Sequence, residues 1–398
     1  MSTQITASTI EQISTRNQAL ELIRKTLSTT YPVALWRLPN TTDILALIDI
    51  TSEEGDSDAE IERLEQCFVI NSYDQSHPIH PLVLKGDIMI SIHGSESEVT
   101  LNTTLKASDL ESFNLAIDQA SLSAVGRSAR ASERHPDFEE MVTEAINHIK
   151  SGELHKVVLS RYQDFDLPES FDPIVYFEKL EKAYPNAFCY LVQTATYGAW
   201  MGATPEKLIA IEDEHYFSTD ALAGTQVLGE VEDLSDVPWT QKEIIEQAMV
   251  SRYIIECFKK IRLREFEEVG PKTVKAGDLV HLKTSFKVDM KETNSPLLGS
   301  IMLELLHPTS AVCGSPRGLA NDFIHSHEGY ERELFAGFLG PVGLGGNSRL
   351  FVNLRCMQLF REKARLYAGA GITENSRPEK ELQETNNKMQ TLLKVIYS

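Results

Sequence analysis

No run of 18 or more apolar residues occurs in the 398-residue chain, so the sequence offers no transmembrane helix. Cysteine is scarce. Cys67, Cys189, Cys257, Cys313 and Cys356 are odd in number, scattered, and form no CxxC pair. That excludes a zinc site of paired cysteines and a disulfide framework, and suits reduced thiols in a cytoplasm. Basic residues are outnumbered, 38 against 58 acidic, for a formal charge of −20. A field of that sign repels a phosphate backbone, and no basic patch offsets it, which argues against nucleic acid as a partner. The first 25 residues lack the apolar core of a secretory leader, and their mixed charge argues against a transit peptide. We expect a cytoplasmic protein with no membrane partner. Internal repeats and low-complexity tracts are also missing. The same negative field would repel a small dicarboxylate, so an enzyme acting on one needs a local cation cluster or a metal.

What is present reads as an α/β (α+β) chain. Residues 33–36, 44–48, 67–70 and 88–92 are short apolar runs bounded by polar turns, and they predict strands. The acidic stretch 53–58 lacks calcium-loop ligand spacing and reads as a solvated loop or a helix entry. Residues 122–135 are small, polar and basic, a linker between a divergent N-terminal part (1–121) and a core (136–398) of what we read as one unit. Met141, Val142, Ala145, Ile146 and Ile149 have helical spacing that stops at Ser151-Gly152. Strands are predicted at 155–161, 188–193, 199–203, 207–211 and 215–219, and a long helix at 240–262. Residues 350–360 and 364–372 read as two strands around a turn. A last helix starts near Pro378, with Ser376 as its N-cap. Strands often come in pairs, which predicts a mixed sheet.

Chemistry gathers near the C-terminus. Glu381, Glu384 and Lys388 stand at i, i+3 and i+7 and share one face of the last helix, beside an apolar stripe of Leu382, Met389 and Leu393. Two carboxylates one turn apart suit a hard cation such as Mg²⁺. Taken alone, such a face is more often a solvated ion-pair surface. Gly369 and Gly371 precede this helix, and closely spaced glycines let backbone N–H groups approach an anion. Tight strand packing is the ordinary explanation.

Taken together, the blocks become specific. Lys156-Val-Val-Leu-Ser-Arg161, Gly202-Ala-Thr-Pro-Glu206, Ala221-Leu-Ala-Gly224-Thr225 and Lys242-Glu-Ile-Ile-Glu246 come first. His281-Leu282, His307 to Val312, Glu328 to Gly337, Leu354-Arg355, Gly369 to Ile372 and Glu381 to Lys388 follow in order. Over residues 138–394 this series resembles the chorismate-binding enzymes. The resemblance implies one large unit of stacked mixed or antiparallel β-sheets surrounded by helices, with the site between the sheets. It implies Mg²⁺ held by Glu246, Glu381 and Glu384, gripping the ring carboxylate of chorismate. Arg355, Lys388 and the amides around Gly369 and Gly371 would hold the enolpyruvyl carboxylate. Gly224 and Thr225 would line the ring-carboxylate pocket, and His281 is a further family position counted with the substrate-binding residues. The chain departs from the family at Glu243 and Gln247, where Asp and His are usual. Both flank Glu246, so the expected effect is on the hydrogen bonds around the metal ligand.

Within the family the nucleophile decides the reaction. Water addition at C2 with loss of the C4 hydroxyl needs a base and an acid. By the resemblance these are Lys156 and Glu206. Lysine must be neutral and glutamate protonated to serve. Ammonia-using relatives carry glutamine at the position of Lys156, or a nucleophilic lysine where this chain has Ala223. Ala311 and Phe335 match the pattern of enzymes that stop at isochorismate, whereas salicylate formers tend to Thr and Tyr. The expectation is an isochorismate synthase, an isomerase acting as a monomer without an amidotransferase subunit, with salicylate synthase as the alternative and a non-catalytic chorismate-binding subunit as a remote one. Menaquinone and siderophore synthesis stay equally open as destinations.

Overall fold

The fold, a computed structural model, describes residues 10, 12–51, 60–73, 80–120, 136–227, 233–276 and 279–397. The acidic stretch 53–58 and the linker 122–135 lie outside the described residues. The N-terminal part contains α1 (Arg16–Thr26), β1 (Val33–Arg37), β2 (Ile44–Ile48), β3 (Cys67–Asn71), β4 (Leu82–Lys85), β5 (Ile88–His93), β6 (Glu96–Leu101) and α2 (Ala107–Gln119). Then come α3 (Phe138–Lys150), β7 (Lys156–Asp166), α4 (Pro173–Ala183), β8 (Phe188–Thr194), β9 (Gly198–Thr204), β10 (Lys207–Glu212) and β11 (Tyr216–Val227). They are followed by α5 (Gln241–Lys260), β12 (Glu267–Ala276), β13 (Leu279–Asp289), α6 (Leu298–Leu306), β14 (Gly314–Ser315) and α7 (Arg317–His327). The chain closes with β15 (Phe338–Val342), β16 (Ser348–Val352), β17 (Cys356–Leu359), β18 (Lys363–Ile372) and α8 (Pro378–Ile396).

Two sheets result. One has ten strands in the order β14-β7-β18-β17-β9-β8-β1-β2-β5-β6, the other eight in the order β12-β13-β11-β10-β16-β15-β3-β4. Strands of the N-terminal part enter both: β1 pairs with β8, and β3 with β15. The mixed sheet expected from the sequence is not found. Every described strand pair is antiparallel, because neighbours such as β8–β9, β10–β11 and β17–β18 are joined by hairpins.

Side-chain alternation explains the layering. In β8, Phe188, Tyr190 and Val192 join one core with Trp36, Phe68 and Trp200, whereas Cys189 and Leu191 join a second. Phe188 stacks on Phe351 of the other sheet at 4.2 Å and 3°, which ties the two layers together. The second core lies under helices α1, α2, α4 and α8 on the far face of the ten-stranded sheet. Helix α5 packs on β11 and β13, and α6 on β10.

Three local expectations need correction. Residues 350–360 are two strands, not one: β16 lies in the eight-stranded sheet and β17 in the ten-stranded one. The chain steps between the layers at Asn353-Leu354-Arg355, where Arg355 takes a left-handed φ of 49°. Ser376 is not the N-cap of α8. That position is Arg377, and the Ser376 hydroxyl instead accepts a hydrogen bond from Thr373 N at 3.1 Å in the preceding turn. Strands β12 and β13 were not expected, since exposed charged residues mask their alternation.

Candidate active site

Two neighbouring crossings between the sheets form the floor of the site. Strand β9 leads through Pro205-Glu206 into β10 of the other layer, and β16 leads through Asn353 to Arg355 into β17. Backbone bonds stitch the crossings together: Val352 N donates to Glu206 O at 2.9 Å, and Ala203 N to Arg355 O at 3.0 Å. The Thr204 hydroxyl donates to Val352 O at 2.6 Å, and Tyr190 donates to the buried Asn353 amide oxygen at 2.5 Å. Gly202 permits the approach, because a Cβ there would stand 2.7 Å from Tyr190 Cε1 and 3.1 Å from Arg355 O. The Gly202-to-Glu206 block is therefore a device for presenting Glu206 beside Arg355.

Lys156 begins β7. Helix α3 ends at Lys150 with Ser151 as its C-cap, and Asp137 caps its start by accepting from Glu139 N and Glu140 N at 2.9 and 3.0 Å. Strand β18 runs alongside. A Cβ on Gly371 would sit 3.0 Å from Lys156 Cε and 3.5 Å from Nζ, so the bare backbone leaves room for the lysine. Lys388 reaches over from α8 and donates to Gly369 O at 2.7 Å, while pairing with Glu384 at 2.6 Å. His155 faces outward and is exposed.

These groups are recessed into protein while keeping part of their surface open. Enclosure lowers the pKa of Lys156; Glu246 opposes the shift and Lys388 adds to it. Enclosure pushes Glu206 up to about 7 from 4.5, against the pull of Arg355, Lys156 and Lys388. It also lowers Arg355 and Lys388, in both cases against the pull of Glu384. Lys156, Glu206, Glu246, Arg355, Glu384 and Lys388 thus share one electrostatic neighbourhood.

The remaining sites take several roles. Gly224 sits at a bulge in β11 with φ +71°, and its carbonyl lies 3.2 Å from His281 Nδ1. His281 is buried, which lowers its pKa and favours the neutral ring. Thr225 pairs with His281 across the strands; its side chain lies outside the described residues. Phe335 is buried and stacks on Tyr367 at 5.4 Å and 13°, and Ala311 is half-buried in the turn before β14. His307 belongs to the core, with Nε2 3.2 Å from Ser72 O and its ring edge-on to Phe338. The two departures from the family pattern hold the framework together. Glu243 accepts from Thr240 N, capping its own helix, and from Gln226 Nε2, both at 2.8 Å. Gln247 donates to Ala221 O at 3.1 Å and Thr284 Oγ1 at 2.9 Å.

Among the described residues no group of three or more His, Cys, Asp or Glu is gathered to hold a metal ion. Glu246 lies on α5 and Glu381 and Glu384 on α8, and Glu384 is paired with Lys388. The donor chemistry still suits a hard cation. All three are carboxylates, two are a turn apart, and Glu381 is held buried at the start of α8.

Sequence reasoning assigned no role to a second charged network behind Lys156. Ser160 N and Oγ donate to Glu328, at 2.7 Å and at 2.9 to 3.0 Å. Arg332 pairs with the same carboxylate and donates to Val158 O and Val312 O at 2.8 and 2.9 Å. A cluster of Lys207, Asp220 and Lys283 was missed as well, although period-2 alternation along β11 and β13 would have placed Asp220 and Lys283 on one face.

The two-layer antiparallel fold gathers Lys156, Glu206, Arg355 and Lys388 into one electrostatic neighbourhood beside its crossings. The chain matches the chorismate binding enzyme family over residues 81–397, and it belongs to that family. It is similar to isochorismate synthase EntC of Escherichia coli (strain K12), 32% identical over 264 residues. That match spans 65% of this chain and 66% of the relative, just under two thirds of its length. Anthranilate synthase component 1 of Lactococcus lactis is 30% identical over 268 residues, covering 65% of this chain and 57% of that one. The solved structure of MenF, the menaquinone-specific isochorismate synthase from Escherichia coli, shares the fold with a TM-score of 0.73 at 23% identity. It covers 94% of this chain and 91% of that one.

Proposed function

We propose that the protein is an isochorismate synthase, converting chorismate reversibly to isochorismate by adding water at C2 and expelling the C4 hydroxyl. The opposed protonation preferences of Lys156 and Glu206 carry this reading. Enclosure favours a neutral amine, which takes a proton from water, and a protonated carboxyl, which gives one to the departing hydroxyl. Arg355 and Lys388 supply positive charge for the substrate carboxylates in a chain of −20. Mg²⁺, held by Glu246, Glu381 and Glu384 when bound, would neutralise the ring carboxylate. The lysine at position 156 and the similarity to EntC favour water over ammonia. The apolar Phe335 wall, without a tyrosine hydroxyl, supports release of isochorismate before pyruvate is lost. We place the enzyme in the cytoplasm, as a monomer.

The test is incubation with chorismate and Mg²⁺, with products followed by NMR. The expected result is an equilibrium mixture of chorismate and isochorismate. Accumulation of salicylate with pyruvate, or of an amino product when ammonia is supplied, would overturn the proposal.

A further inference from the structure

A cavity of about 210 Å³ lies beside the candidate active site. Its wall includes Pro205, which precedes Glu206, and His281, so it adjoins the acid and the bulge at Gly224. Among the described residues, three lysines, Lys207, Lys275 and Lys283, line it against one carboxylate, Asp220. Lys207 Nζ and Lys283 Nζ converge on one oxygen, Asp220 Oδ2, at 3.1 and 3.0 Å. Asp220 is 9% exposed, while the two lysines keep 25% and 33% of their side chains open. Asp220 is thus the fixed counter-ion at the bottom, and the ammonium groups form the accessible rim.

An ordinary surface ion pair matches one cation to one anion and contributes little. Here the lining residues carry an excess of two positive charges inside a protein of −20. Asp220 offsets only one of the three lysine charges, so a further anion would relieve the repulsion that remains. The volume suits a small organic acid, and two ammonium groups three ångströms from a shared oxygen can each turn another N–H toward a second carboxylate.

We propose that this cavity is a docking site for a small carboxylate dianion, held by Lys207 and Lys283 with Lys275 at the edge. The site rests on the geometry. The choice of carboxylate as ligand rests on the chorismate reading above.

Malonate is the probe, titrated calorimetrically into the full-length protein at low salt. Lys283→Gln should weaken binding about tenfold, the loss expected for one charge-assisted contact. Lys275→Gln, at an exposed position, should weaken it less, and Lys283→Arg should restore it. Thermal melts of each variant report that the fold is kept. Chorismate kinetics then separate two sources of the ligand. If Lys283→Gln lowers kcat/KM and leaves kcat alone, the docked dianion is substrate on its way in. If malonate affinity falls while kcat/KM holds, the site takes a different carboxylate as an effector. Equal malonate affinity in the wild type, Lys283→Gln and Lys275→Gln, or no binding by the wild type, would overturn the proposal. Failure of the wild type to turn over chorismate would instead remove the proposed function and leave the malonate result standing.

Discussion

Strand β7 carries two enclosed charge clusters only four residues apart, and they behave in opposite ways. At Ser160, the Glu328–Arg332 pair is 1% and 2% exposed, and its carboxylate accepts from both partners. Burial alone would lower the Arg332 pKa, yet Glu328, with Tyr73 and Tyr330, more than offsets this and raises it. At Lys156, burial prevails instead. Lys156, Arg355 and Lys388 are all lowered and Glu206 is raised, so each member is pushed toward its neutral form. The first cluster is complete without a ligand. The second is dominated by burial, as the proposed function requires of a place that receives a charged substrate.

Substitutions can test this contrast. The largest effect should come from Lys156→Ala, which removes the proposed base. Isochorismate formation, followed by NMR, should fall by about 10² to 10⁴-fold. Its melting temperature should hold or rise, because an amine that enclosure drives away from its ordinary charged form is gone. Arg332→Met should do the reverse. Leaving Glu328 buried without its cation should cost about 3–5 kcal/mol in a urea unfolding curve. The fraction that remains folded should keep most of its turnover.

Glu206→Gln gives a smaller, pH-dependent signature. The folded carboxyl titrates near 7 and the unfolded one near 4.5. Between these values the folded state binds more protons, so wild-type stability falls as pH rises. The glutamine variant escapes that loss. Its unfolding free energy should gain on the wild type from pH 4.5 to 7 and level off above, by on the order of 2 kcal/mol after allowance for water access. A gap that stays constant with pH would mean that Glu206 is ionised in the folded protein. The mildest change is Gly371→Ala, whose new Cβ would press on Lys156 Cε at 3.0 Å. Displacing the amine by a few tenths of an ångström should lower kcat about tenfold with little change in KM.

The sequence made the site residues legible one block at a time, since Lys156, Glu206, Glu246, Arg355 and Lys388 each sit in a recognisable run. It did not reveal why they meet. Residues 350–360 are mostly apolar and read as one run, and nothing local marks Asn353 as the point where the chain leaves its sheet. That point is set by Tyr190 and Leu334, which bind the Asn353 amide from distant parts of the chain. Glu328 and Arg332 are likewise an ordinary i, i+4 pair until Ser160, 168 residues away, is placed beside them. Ser376 was misread because a serine before a proline-led helix has two local uses, and the turn at Thr373 took it. Short-range periodicity and caps are written in neighbouring residues; crossings and closed networks depend on partners far along the chain.

The paired crossings have a mechanical consequence. Glu206 and Arg355 ride on adjacent chain segments bound to each other by backbone hydrogen bonds, at the line where one layer passes into the other. If the layers tilt to admit or release a ligand, that line is the hinge pin. Lys156 and the α8 carboxylates would then move relative to it, while Glu206 and Arg355 would keep their spacing.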